Sequence, residues 1–201
     1  MIEYASVTPL VMHDSTAEAV LYVPVGVFAV GELAIGARSR PRIRKSEDRG
    51  TYWIWALLYG LGIVLAIRAS DGVDSLTISG GWGPVIVGGL LMCAGIALRW
   101  WSVVTLGRFF QVVVVIQEGH KLVQNGPYRF LRHPAYTGAL MVAFGLGIGL
   151  ANWLSVLATI VLPLAAVLIR VHVEEEALQK RFGAEYDAYA ARTARLIPRV
   201  W

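Results

Sequence analysis

The stretch EGHKLVQNGPYRFLRHPAYTG, Glu118 to Gly138, gathers side chains able to hold charged groups and leads through Pro134 into a long apolar run. Proline suits a first helical turn, where its missing N–H would have had no partner. The N–H groups of Ala135 and Tyr136 at such a start, with the positive end of the helix dipole, would bind an anion such as a carboxylate. His133 precedes the helix and Tyr136 lies one turn into it, so both can face a cavity at its mouth. The plainer alternative is that Arg132, His133 and Tyr136 only anchor a helix end at a membrane surface. A second cluster favours the cavity: Arg170 and Glu174 stand four residues apart near the end of the last apolar run, on one helix face. An arginine still inside an apolar helix costs about 2.5 kcal/mol or more near the bilayer centre, which makes it a site candidate by default. Its simpler reading is a surface pair with Glu174, the arginine snorkelling towards water.

The elements that must position these groups are membrane spans. The 201 residues are 56% hydrophobic and only 16% charged, and the charges fall in blocks between long apolar runs. Five stretches approach the roughly 20 helical residues that a hydrocarbon core demands: residues 17–37, 51–69, 82–106, 134–150 and 153–173. In lipid each must be helical, because a span satisfies its own backbone. Only Ala151 and Asn152 separate the last two, which forces a tight antiparallel hairpin. That hairpin brings Arg170 and Glu174 beside His133 and Tyr136, four polar groups at one depth. Glycines 88, 89, 95, 138, 145, 147 and 149 lie inside spans and suit close helix packing rather than phosphate loops. The expectation is an all-α, single-domain bundle of five transmembrane helices over residues 1–201. Helices 4 and 5 form its hairpin and an amphipathic helix follows it.

Sixteen of the eighteen Lys and Arg residues fall in the first and third connections and in the segment from Arg170 onward. By the positive-inside rule these face the cytoplasm, and five spans then put the N-terminus outside. The chain should be a multi-pass protein of the cell inner or plasma membrane, its first apolar run retained as an anchor because no basic n-region precedes it. The chemistry should sit on the cytoplasmic part, about residues 107–201. The tail from Glu174 reads as an amphipathic helix along the membrane surface, with Leu178, Phe182, Tyr186 and Tyr189 on one stripe. Arg99, Trp100 and Trp101 read first as interfacial anchors, with Arg99 also able to line a substrate entrance. Cys93 is the one cysteine, so neither a disulfide framework nor a thiolate cluster can be built and no metal is expected. The basic pI near 9.4 reflects topology and anionic lipid rather than nucleic acid, since the charges flank apolar runs.

Three runs together resemble the isoprenylcysteine carboxyl methyltransferase family: H-x-L-V-x-x-G-x-Y from His120 to Tyr128, R-H-P-x-Y-x-G from Arg132 to Gly138, and R-x-x-x-E-E followed by F-G-x-E-Y-x-x-Y from Arg170 to Tyr189. The resemblance covers Gly107 to about Pro198 and looks like the short prokaryotic type. It implies an S-adenosyl-L-methionine site formed by Gln117, His120, Lys121, Leu122, Val123, Tyr128, His133, Pro134, Ala135, Tyr136 and Glu174. Arg170 would meet the acceptor as the catalytic residue. It further implies methyl transfer to a lipophilic small molecule or lipidated substrate taken from membrane lipid, above all to the carboxylate of an isoprenylcysteine-like group. Methylation of oxygen, nitrogen or sulfur on another lipid or a small thiol stays open. So does a general base, for which Glu175 and His120 are guesses. Outside that class stand an NADPH-dependent reductase of the membrane sterol type, and a noncatalytic scaffold that would not need converging polar groups.

Overall fold

A computed structural model describes residues 9–38, 50–110 and 122–198. Five apolar helices make the bundle: α1 (Ser15–Arg38), α2 (Thr51–Gly72), α3 (Trp82–Leu106), α4 (Pro134–Gly149) and α5 (Trp153–Phe182). Four of them are long and apolar enough to cross a membrane, and α4 is a shorter apolar helix. At 16 residues, α4 runs only about 24 Å, shorter than α3 at 25 residues and α5 at 30. The five sequence-read spans therefore correspond to five helices in the expected order.

The hairpin turns where expected. Ala151 takes the left-handed conformation at φ +49°. Asn152 caps α5 by accepting from Leu154 N–H at 2.9 Å and Ser155 N–H at 3.3 Å. Its amide also donates to the Val73 carbonyl at 2.9 Å, tying the turn to the end of α2. A capped start fixes which face of α5 turns inward, and hence where Arg170 and Glu174 point.

Small residues bring α3 and α4 backbone to backbone. A Cβ on Gly95 would stand 2.6 Å from the Gly138 carbonyl, and one on Gly145 2.7 Å from the Gly88 carbonyl. Of the other span glycines, Gly89 meets Val20 of α1, Gly149 meets Leu21, and Gly147 meets Thr159 of α5. In lipid, where apolar side chains gain nothing by leaving solvent, such close approach and the dispersion it allows are what hold helices together. Leu21, Met92, Val142, Leu146 and Leu150 fill the resulting core between α1, α3 and α4.

The tail departs from the single surface helix read in the sequence. α5 continues without a break for 30 residues to Phe182, so Glu174 and Glu175 sit on an extension of the span itself. Gly183, at φ +52°, breaks it, and a seven-residue helix, α6 (Ala184–Ala190), follows. The apolar stripe turns inward as its spacing suggests, with Tyr186 and Tyr189 buried. The chain then folds back along the loop before α4. Arg132 N–H donates to the Ala194 carbonyl at 2.8 Å, His133 N–H to Arg195 at 3.1 Å, and Ala194 N–H to Phe130 at 3.1 Å. This strap was not legible in advance, because pairing between two short irregular segments leaves no periodic signal.

Candidate active site

The helix junctions impose one geometry on the polar groups. Tyr136, one turn into α4, donates its hydroxyl proton to Glu174 Oε2 at 2.9 Å and accepts from Arg170 Nε at 2.7 Å. His133 Nδ1 lies 4.0 Å from the same Glu174 oxygen. The structure thus brings His133, Tyr136, Arg170 and Glu174 together, the four groups that the hairpin argument placed at one depth. Arg170 is buried, 3% exposed, and reaches across to α2, where Nη1 donates to Thr51 Oγ1 at 3.4 Å. The Glu174 side chain keeps 32% of its surface open, so it can take a further charged partner.

Glu175, next along α5, has the opposite surroundings. Its carboxylate meets His133 Nε2 at 3.1 Å, Arg132 Nε at 3.1 Å and Arg195 Nη2 at 2.8 Å. A carboxylate held by two guanidiniums and an imidazole is a structural anchor, not an available base. It fixes the imidazole from one side while the strap fixes the backbone, and Thr137 Oγ1 donating to the Leu196 carbonyl at 2.8 Å completes the clamp on the first turn of α4. Pro134 occupies the first helical position as expected. The anion site expected there is reduced, however, because Tyr136 N–H is already spent on the His133 carbonyl at 3.1 Å.

Tyr128 lies buried in the short 3-10 turn Gly126–Arg129, its carbonyl accepting from the Tyr189 hydroxyl at 2.8 Å. Burial, and then the nearby Glu174 charge, push the Tyr128 phenol well above its ordinary range, while burial pushes Tyr189 up to about 12. Both shifts favour the protonated phenol, which suits a donor better than a base. Leu122 and Val123 line an open cleft of about 510 Å³ with Thr105, Leu106, Arg108 and Phe109 at the end of α3. Gln117, His120 and Lys121 lie outside the described residues.

Arg99 corrects a sequence reading. It is not an interfacial anchor: it is 5% exposed, within the bundle, and paired with Glu32 of α1 through Nε to Oε1 and through Nη2 to Oε2 at 2.6 Å. Its Nη1 donates to the Ala135 carbonyl at 3.0 Å, and its guanidinium lies 5.9 Å from the Phe28 ring centre. Glu32 had passed unremarked in the sequence. The signal was there, since an acid inside a span demands a partner and Arg99 was the one basic residue in the middle spans at a matching depth. Trp100 and Trp101, by contrast, are 42% and 54% exposed, as anchors should be.

Comparison with known proteins adds a family to this geometry. The model of the phospholipid methyltransferase family matches residues 84–185, from the start of α3 into α6. A rice protein (Oryza sativa subsp. indica) named "Probable protein-S-isoprenylcysteine O-methyltransferase" is 36% identical over 119 residues, covering 58% of this chain and 62% of the rice protein. Protein-S-isoprenylcysteine O-methyltransferase B of Arabidopsis thaliana is 35% identical over 110 residues, 54% of this chain and 56% of its own length. The resemblance carried by the three sequence runs is borne out, although this chain spans only about three fifths of the curated relatives it matches. Among solved structures, the eukaryotic intramembrane Ras methyltransferase ICMT superposes with a TM-score of 0.65 over 94% of this chain and 70% of its own. At 24% identity, that likeness is one of fold.

Proposed function

The chain belongs to the phospholipid methyltransferase family, and on that footing we propose that it is an integral, multi-pass membrane enzyme that transfers a methyl group from S-adenosyl-L-methionine to a lipophilic acceptor at the cytoplasmic face. The observation that carries the proposal is the single hydroxyl of Tyr136, which donates to Glu174 and accepts from Arg170. It joins a partly open carboxylate on one side to a buried guanidinium on the other.

The residues present fit the cofactor on the first side. Glu174, with 32% of its side chain open, suits an ammonium group, and the ring faces of Tyr128 and Tyr136 suit a sulfonium cation. His133, held by Glu175 and the strap, would border the same space. When bound, S-adenosylmethionine supplies a methyl group on a sulfonium sulfur, whose departure to a carboxylate oxygen leaves a neutral thioether and an ester and releases no proton. With no proton to move, the protein's tasks are positioning and exclusion of water. Arg170 would orient the acceptor oxygen, as its guanidinium donates in a fixed plane.

The acceptor class follows from the surroundings and the relatives. Arg170 reaches towards α2, an apolar span, so an acceptor with a long hydrocarbon chain and a carboxylate head is favoured, as in the isoprenylcysteine named for the relatives. The positive-inside rule favours this end of the bundle at the cytoplasm, with the N-terminus outside. Calorimetric titration of the purified chain with S-adenosylhomocysteine and, separately, NADPH tests the class: binding of the first and not the second is expected, and the reverse would establish a reductase. Methyl transfer from labelled cofactor into N-acetyl-S-farnesylcysteine, against a lipid amine and a small thiol, tests the acceptor.

A further inference from the structure

Among the described residues, the buried side-chain polar atoms without a hydrogen-bond partner are those of Trp55, Thr77, Arg132 and Tyr186, and of these only Trp55 stands on one of the five apolar helices. The indole Nε1–H of Trp55 on α2 is shielded from solvent and donates to nothing among the described residues. A shielded N–H left without an acceptor is costly, so a ligand that supplied one would be held there.

Its place in the fold says what that ligand is. Thr51, Trp55 and Tyr59 recur at four-residue intervals along α2, so they share one face. Thr51 accepts from Arg170, and Tyr59 donates to the Ala139 carbonyl of α4 at 2.8 Å. Trp55, between them, packs against the small apolar cluster of Val167, Val171 and Leu196, as Tyr136 also does. Two rings of the same helix stack against the indole, Tyr59 at 5.3 Å and Tyr52 at 6.3 Å between ring centres, inclined by 29° and 26°. They hold the indole in place, and its edge carries the unpaired N–H.

We infer that Trp55 is a substrate-binding residue whose indole N–H donates to a carbonyl oxygen that the lipid acceptor carries beside its hydrocarbon chain. Tyr136 meets Glu174, the residue proposed for the cofactor, and also Arg170, which leads on to Thr51 of α2, so the α2 face is assigned to the acceptor. Trp55 then confers specificity: it favours a lipidated amide or ester over a plain lipid acid, because a site built around a buried donor rejects the analogue that leaves it unpaired. The inference rests on the methyltransferase reading.

The test compares two acceptors, N-acetyl-S-farnesylcysteine and S-farnesylthiopropionic acid, which share the chain and the carboxylate while only the first has the amide carbonyl. The wild-type chain should show a KM about five- to tenfold lower for the amide probe, with similar kcat. Trp55→Phe, which keeps the ring and deletes the donor, should treat the probes alike, bind S-adenosylhomocysteine as the wild type does, and unfold at an equal or higher temperature. Retained preference in the variant overturns the inference, and so does a wild type that never discriminates, even if the variant fails to fold. S-adenosylhomocysteine binding by the wild type in the same preparation separates the cases. Without it the methyltransferase reading falls and takes this assignment with it; with it, only the role of Trp55 is at stake.

Discussion

Glu32 and Arg99, 67 residues apart in sequence, form a bidentate ion pair inside the bundle, and Arg99 extends it to the first turn of α4 through the Ala135 carbonyl. One guanidinium thereby fixes α1, α3 and the helix that carries His133 and Tyr136. Removing either partner strands a charge in a low-dielectric interior, at a cost of about 3–5 kcal/mol. Glu32→Ala and Arg99→Ala should each lower the unfolding temperature in detergent by several degrees. The double variant should lose less than the two losses combined, and strict additivity would mean the pair is not coupled.

Glu174→Gln should weaken S-adenosylhomocysteine binding by about ten- to a hundredfold, the range for losing one charge-assisted bond. Titration calorimetry measures it. Tyr136→Phe should cost less, because the carboxylate keeps its charge. Equal affinity in the wild type and Glu174→Gln would remove the cofactor from this pocket.

Arg170→Lys should split the kinetics differently. A lysine keeps the charge but loses the planar fork, so kcat with a carboxylate acceptor should fall at least tenfold while cofactor affinity changes little. A matching loss of cofactor affinity would place Arg170 on the wrong side of the site.

Gly95→Val should separate α3 from α4, because its side chain would collide with the Gly138 carbonyl, 2.6 Å from a Cβ. Lower thermal stability and loss of His133–Tyr136 order are expected. Val substitution at Gly36, where a Cβ meets nothing within 4 Å, should be nearly silent by comparison.

Glu175→Gln should loosen the clamp rather than the chemistry. Hydrogen exchange at the Arg132 and His133 amides, bonded to Ala194 and Arg195, should quicken, while Gly95 and Gly138 amides stay protected. Unchanged exchange would show that the backbone strap holds without its ion pairs.

Much of this arrangement was legible from residues alone because the bilayer restricts the alternatives. An apolar run in lipid must be a helix, and two residues between runs must be a hairpin, so Arg170 and Glu174 could be placed beside His133 and Tyr136 from spacing alone. What escaped was contact without period. Glu32 meets Arg99 through helices that are not neighbours in sequence, and the Ala194–Leu196 strap pairs with an irregular loop. The tail's apolar stripe was read correctly as a stripe, but its helix begins as α5 itself, since nothing between Val173 and Phe182 breaks a helix. Gly183 is the residue that does.

The Tyr136 hydroxyl has one proton to give and gives it to Glu174, while its lone pair receives Arg170. That oxygen is a joint with a fixed polarity. A ligand that draws Arg170 away, or one that competes for Glu174, alters how strongly the joint holds its other member. Occupancy in one compartment would then change affinity in the other, and thermodynamic reciprocity requires the same factor in both directions. Any such coupling would run through one shared phenol, the contact that joins Glu174 to Arg170.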